Sequence, residues 1–135
     1  MISLNRRAEK QVLDALLANS GVMSVYGRNK IFQGFAAPNT LANLNEYVLI
    51  QRISANALDR ATDGTETNKL RRVRIQIDIS DIDYVKMVNR AEMTMGALET
   101  AFPSSIDGDT YGTVTAGQKV FNVCSIDVIL TESEV

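Results

Sequence analysis

The clearest pattern in the chain is Leu70-Arg71-Arg72-Val73-Arg74-Ile75-Gln76-Ile77-Asp78-Ile79. Four β-branched residues, Val73, Ile75, Ile77 and Ile79, alternate with polar ones. Because successive side chains of a strand point to opposite faces, this period of two predicts a half-buried strand over 70–79. Its apolar side is expected to face helices, and its polar side to carry Arg72, Arg74 and Gln76 on an open face of the sheet.

Three further strands are predicted around this one. Residues 46–54 are apolar on both faces, which is typical of a strand that is covered on both sides. This strand and 70–79 are expected to pair antiparallel across a polar loop, 55–69, with a turn at Asp63-Gly64. A short strand is predicted at 30–36. The last strand, 119–131, places Cys124, Ile126, Val128 and Leu130 on one face and leads into a short acidic tail that contains Glu132.

Two amphipathic helices are predicted. The first spans 5–19, with Asn5 as N-cap and Ser20-Gly21 as its end. The second spans 82–101 and is expected to be capped by Ser80 or Asp81. Its apolar face is predicted at helical spacing, on Tyr84, Val88, Ala91, Met95, Leu98 and Phe102.

These elements predict a single α+β domain over residues 1–135. About four mainly antiparallel strands should carry two helices packed on one face, in the order α-β-β-β-α-β. Three stretches, 37–45, 55–69 and 103–117, are left as long loops, and loops of that length in a small domain are usually functional or disordered.

Composition excludes several classes of function. Histidine is absent and the net charge is −2, so the commonest general base is missing and a dedicated nucleic-acid binder is disfavoured. The single cysteine, Cys124, permits no intramolecular disulfide, and a reducing compartment is expected. The N-terminal residues do not have the pattern of a signal peptide, and no apolar run approaches the roughly 20 residues of a membrane span.

Three groups of residues invite a chemical interpretation, and each has a simpler one. Cys124 lies on an apolar strand face without a base, which indicates a core cysteine. The stretch 107–112 begins like a calcium loop but has Gln118 where the final glutamate belongs, so a glycine-rich turn is favoured. Asp78, Asp81 and Asp83 cluster before a helix, where carboxylates favourably meet the helix dipole. No catalytic, cofactor-binding or metal-binding residue is predicted.

Two surfaces are predicted to bind protein partners. Arg72, Arg74 and Gln76 on the open strand face are the candidate subunit interface, since arginine is enriched at interfaces. The loop 55–69 is the candidate docking loop for a neighbouring subunit, because it is far longer than a hairpin needs. Its candidate contact residues are Asp59, Arg60, Asp63, Gly64, Glu66 and Lys69.

The arrangement resembles the tail terminator, or tail-completion, proteins of long-tailed bacteriophages. The resemblance covers roughly residues 5–131. It rests on the leading helix, the strand Tyr47-Val48-Leu49-Ile50-Gln51-Arg52-Ile53, a polar loop, and the strand Arg72-Val73-Arg74-Ile75-Gln76-Ile77-Asp78-Ile79, which passes directly into helix 82–101 and a final strand. Family members often carry a proline just before the first of these strands, where this chain has Asn45-Glu46.

The resemblance implies a structural virion protein without enzymatic activity or cofactor. Such proteins form a homo-oligomeric ring, typically of six subunits, that caps the head-proximal end of the tail tube and stops its polymerisation. The implied partners are further copies of the chain, the tail tube protein and a head-completion or connector protein, while DNA passes through the channel without sequence-specific binding. The implied location is the virion tail, after assembly in the cytoplasm of the bacterial host.

Other functions remain open at the level of sequence. One is another head-tail connector or minor tail protein. A second is a small ligand-binding regulatory module resembling ferredoxin-like sensor domains, which should show a glycine-rich turn where this chain has Ser80-Asp81-Ile82-Asp83. A third is an enzyme that uses the aspartate cluster.

Overall fold

Five strands form one sheet in the residues that the computed structural model describes, 7–57 and 70–133. They are β1 (Ile31–Gln33), β2 (Glu46–Ala57), β3 (Leu70–Asp81), β4 (Ile106–Ala116) and β5 (Lys119–Ser133). Their order across the sheet is β1-β2-β3-β5-β4. β1 runs parallel to β2, and all other neighbours are antiparallel. The α+β class is therefore confirmed.

The predicted pairing at the centre of the sheet is confirmed. β2 and β3 run antiparallel with Ile50 opposite Ile77 and Val48 opposite Ile79. All four alternating residues of β3, from Val73 to Ile79, have no exposed surface. A β-bulge at Ile53 shifts the register between Arg52 and Ser54 and leaves Ile53 half exposed.

Helices cover one face of this sheet. They are α1 (Ala8–Ala18), α2 (Ser20–Tyr26) and α4 (Tyr84–Ala101), and their apolar side chains join those of β2, β3 and β5 in the main core. The prediction that β5 turns Cys124 and its alternate neighbours inward is confirmed, because all four are buried. Among the described residues, no helix has the length and apolarity that crossing a membrane requires.

The first helix ends at Ala18, within one residue of the predicted end at 19, but the prediction that Ser20-Gly21 ends the helical stretch is wrong. Asn19 leaves helical geometry, and its side-chain oxygen accepts a hydrogen bond from the backbone N–H of Val22 at 3.0 Å. It therefore caps a second helix that includes Ser20 and Gly21, where the sequence pattern suggested a stop. The predicted N-cap, Asn5, lies outside the described residues.

The predicted start and face of the second long helix need correction. Neither Ser80 nor Asp81 is the cap, because β3 continues through both of them; Asp83 caps α4 by accepting from the N–H of Lys86 at 3.0 Å. Of the predicted apolar face, Ala91 and Leu98 are buried and Val88, Met95 and Phe102 are partly buried against the core, whereas Tyr84 is exposed. Met87, Thr94 and Ala97 are buried as well. Thr94 can be buried because its hydroxyl donates to the carbonyl of Arg90. A pattern of apolar and polar residues counts threonine as polar and therefore predicts that it is exposed.

Two of the predicted loops contain secondary structure. Most of 103–117 is β4, an eleven-residue strand that joins β5 through a two-residue turn at Gly117-Gln118, with Gly117 at φ 63°. Interpreting 107–112 as a glycine-rich turn was therefore wrong. The threonines, tyrosine and valine of β4 as a whole favour a strand despite its glycines. In 37–45 a short helix, α3 (Pro38–Leu41), forms.

A second apolar cluster lies on the opposite face of the sheet, at one end. Phe121 is fully buried there, and Tyr47 packs edge-on against it with ring centroids 5.0 Å apart. Leu41 of α3 joins the same cluster. Among the described residues, this cluster does not extend to the other end of the face, around Arg72 and Arg74.

Candidate assembly surface

The open end of the sheet face brings the predicted interface residues together. Arg72, Arg74 and Gln76 occupy alternate positions of β3, on the side away from the helices. Arg72 is exposed and lies beside Ser104 and Ser105, which precede β4, in a groove of about 320 Å³. The prediction that these three residues share a face agrees with the structure.

Arg74 is held by carboxylates of the same chain. Its Nη1 donates to Asp107 Oδ2 at 2.9 Å and to Asp127 Oδ2 at 3.1 Å. The hydrogen bond from Arg74 to Asp107 raises the pKa of the guanidinium. Arg74 therefore joins β3 to β5 and to the start of β4.

Gln76 is also engaged within the chain. Its Nε2 donates to Asp78 Oδ1 at 2.9 Å, and the hydroxyl of Ser125 donates to the same oxygen at 2.6 Å. Acidic side chains on this face therefore pair with its basic and polar side chains, and the face is not a basic patch. The alternation of β5 could have revealed Asp127, whereas Asp107 was hidden in a stretch interpreted as a loop.

The candidate docking loop lies largely outside the described residues. This applies to every one of its candidate contact residues: Asp59, Arg60, Asp63, Gly64, Glu66 and Lys69. The first part of the predicted loop is described, and it is strand, because β2 continues to Ala57 and pairs there with Arg71. The connection between the two strands is thus shorter than the sequence suggested.

The three aspartates of the predicted cluster do not share a site. Asp78 belongs to the open face, whereas Asp81 is buried and forms an ion pair with Arg90 of α4. The other oxygen of Asp81 accepts from the backbone N–H of Asp83 at 2.8 Å. Each carboxylate therefore has a structural partner close to it.

Cys124 lies in the core, with 1% of its surface exposed. Burial raises the pKa of its thiol, and a hydrogen bond with Tyr111 opposes that effect. A raised pKa keeps the thiolate fraction low, which is the opposite of what a nucleophile needs. In the described part of the chain, no three histidine, cysteine or acidic side chains come close enough together to hold a metal ion.

A partly buried ion-pair network was missed by sequence reasoning. Glu132, interpreted as part of an acidic tail, has 1% of its surface exposed and contacts Arg52. The same guanidinium binds Glu9 through two hydrogen bonds of 2.7 and 3.0 Å. The network joins α1, β2 and β5 and so fixes the end of the sheet.

Comparison of the chain with models of known protein families and with curated proteins finds no match.

Proposed function

We propose that this chain is a structural virion protein that forms a homo-oligomeric ring at the head-proximal end of a phage tail. The ring caps the tail tube, ends its polymerisation and provides the surface to which the head is joined. The chain acts in this proposal through surfaces and not through a catalytic group.

The observation that carries the proposal is the succession of elements from α1 to β5. A leading helix precedes the long antiparallel pair of β2 and β3, and only two residues separate Asp81, the end of β3, from Tyr84, the start of α4. The final strand, β5, then pairs with the other edge of β3. This is the arrangement on which the resemblance to tail terminators rests.

The chemistry of the exposed surface also supports the proposal. Helices bury one face of the sheet, while the open end of the other face carries charges that neutralise one another, such as Arg74 with Asp107 and Asp127. A mixed, largely satisfied polar surface suits contact with other protein subunits and lacks the excess of cations that nucleic-acid binding requires.

The proposal is tested by the state of assembly. Purified protein at micromolar concentration should give one closed oligomer in native mass spectrometry, and negative-stain images should show a ring with a central channel. In virions that contain the chain, gold-labelled antibody should mark the junction of head and tail. A chain that is monomeric both in solution and in the particle would contradict the proposal.

A further inference from the structure

β4 is an unusually unprotected sheet edge. It pairs with β5 on one side, and its outer side has no partner strand in the described part of the chain. Residues 107–115 are all exposed. Natural edge strands are commonly protected by charged side chains, proline, bulges or short length. β4 has eleven residues and no proline, and its charges and its bulge are confined to its start, at 106–109. Such an edge is suited to pairing with another strand.

The opposite edge of the sheet has a step. β1 pairs with residues 48–50 of β2, and beyond Gln33 no described strand lies beside the second half of β2. A notch of about 820 Å³ lies there, next to the bulged Ile53. Gly34, at φ 86°, turns the chain out at the end of β1. The next residue, Phe35, is 77% exposed, and Ile53 is 50% exposed.

The directions of the strands allow these two edges to meet. One row of paired residues crosses the whole sheet, from Gln33 through Ile50, Ile77 and Ile126 to Asp109. Three antiparallel steps and one parallel step separate β4 from β1, so β4 runs opposite to β1. When two copies stand side by side in the same orientation, β4 of one is therefore antiparallel to β1 and β2 of the next.

The two edges also carry opposite charge. A groove of about 310 Å³ between α4 and β4 is lined by three carboxylates, those of Glu92, Glu99 and Asp109, and by no cation. The notch at the other edge is lined by Arg28, Arg52 and Glu9. Arg52 is already paired with Glu9 and Glu132, so the positive charge presented there is that of the exposed Arg28. Opposite potentials of this kind favour one relative orientation of two surfaces.

We propose that the β4 edge of one copy pairs with the β1 side of a second copy of this chain, with the exposed Phe35 of the second copy in the groove between α4 and β4 of the first. The contact is heterologous, because two different patches meet, and heterologous contacts are the kind that closes rings. The inference rests on the proposed ring for its closure, whereas the pairing itself rests on the two edges.

Disulfide trapping tests the pairing directly. All variants are built on Cys124→Ser, so that no native thiol interferes. One chain carries Gln33→Cys, and a second, tagged chain carries Asp109→Cys, Tyr111→Cys or Thr113→Cys; these positions lie on the same face of the sheet as Gln33. Cross-strand neighbours are close enough for a disulfide. Mild oxidation of mixed chains should trap Gln33→Cys with at least one β4 variant, and neither chain should link to itself.

A matched pair of variants tests the role of Phe35. Phe35→Ala should weaken association at least tenfold. It should leave the thermal midpoint of the dissociated subunit, measured on dilute protein, unchanged, because this side chain contributes little to the core of its own subunit. The control is Val85→Ala. Val85 is also exposed and apolar but lies on α4, and its substitution should leave association unchanged. Equal association of the Phe35→Ala variant and the wild type would remove Phe35 from the contact.

The outcomes separate this inference from the proposed function. A closed ring without any trapping between Gln33 and β4 overturns the edge pairing and leaves the ring function standing. Trapping between β4 variants alone indicates a symmetric dimer and also overturns the pairing. Trapping as proposed, but in open chains without a closed ring, supports the pairing and contradicts the ring function.

Discussion

The buried carboxylate of Glu132 accepts a hydrogen bond at 2.7 Å from the backbone N–H of Ala8, the first residue of α1. A carboxylate at this end of a helix satisfies a free N–H group and meets the positive end of the helix dipole. Arg52 contacts the same carboxylate and that of Glu9. Three elements that are distant in sequence thus depend on one guanidinium.

The first prediction concerns the response of this network to pH. Burial alone would raise the pKa of Glu9, but its hydrogen bond with Arg52 and the nearby positive charges lower that pKa below 4.5. A carboxyl whose folded pKa is lowered contributes stability above its unfolded pKa and loses it as the pH falls through the folded value. The stability difference between wild type and Glu9→Gln should therefore be constant well above the usual glutamate pKa of 4.5 and shrink as the pH falls below that value.

Urea denaturation at a series of pH values measures this difference. Asp14→Asn on the same helix is the control, since its partner, Lys10, is exposed at the surface. A difference that grows as the solution becomes more acidic would contradict the assignment of Glu9 to Arg52.

The second prediction concerns the central strand. Ile77→Ala should lower the free energy of unfolding by about 2–5 kcal/mol, because it leaves a cavity where the side chain is completely buried. Val120→Ala, at a half-exposed position of β5, should change it by about 0.5 kcal/mol or less. Chemical denaturation of both variants measures the free energy of unfolding. If both substitutions lower it equally, Ile77 of β3 is not at the centre of the core.

The third prediction concerns the thiol. Because burial raises the pKa of Cys124 and shields its sulfur, the folded protein should react with Ellman's reagent at pH 8 at least a hundredfold more slowly than the protein in urea. Stopped-flow absorbance gives both rates. A fast reaction in the folded state would mean that Cys124 is accessible.

The fourth prediction separates assembly from folding on the open face. Arg72→Glu should weaken assembly without lowering the thermal midpoint, because Arg72 is exposed beside the residues that precede β4. Arg74→Glu should lower the midpoint as well, since it places a third carboxylate next to Asp107 and Asp127. Native mass spectrometry at increasing salt follows assembly, and wild-type contacts at the rim should weaken with salt. If the variant that carries both Arg72→Glu and Arg74→Glu still forms an intact ring, this patch is not part of the subunit interface, although the ring itself is confirmed.

The fifth prediction concerns the candidate docking loop. Replacement of residues 60–67 by Asn-Gly should leave a folded protein of similar thermal midpoint, because β2 and β3 remain paired up to Ala57 and Arg71. If the loop docks onto a neighbour, the shortened chain should fail to end tails or to join them to heads. Particle counts by electron microscopy decide this, and normal infectious particles would leave the loop without a docking role.

The strongly periodic parts of the fold could be predicted from the sequence. The alternation around Ile77 sets which face of β3 is buried, and Cys124 follows the same rule on β5. The open face with Arg72, Arg74 and Gln76 follows from the same period of two. These features depend on one physical signal, the removal of every second side chain from water.

The features that were missed depend on contacts between distant residues. Glu132 is buried because Arg52 and Ala8 meet it. The cap at Asn19 is the exception, since it is a local contact with Val22 three residues away that the sequence could have revealed. β4 was missed because its glycines suggest a turn, although β5 provides a partner for the whole stretch. The carboxylates that neutralise Arg74 lie 33 and 53 residues away in sequence, beyond the reach of any local pattern.

The position of β5 has a consequence for how the protein is made. This strand, Lys119–Ser133, lies between β3 and β4, yet it follows both of them in the chain. While the polypeptide emerges from the ribosome, the edge of β3 that β5 will cover stays open, and β4 has no neighbour with which to pair. The sheet can therefore be completed only after residues 119–133 have left the exit tunnel. Until then, Ile75 and Ile77 lack their partners on β5. During that time, the unpaired strand edges are of the kind that pair with other chains.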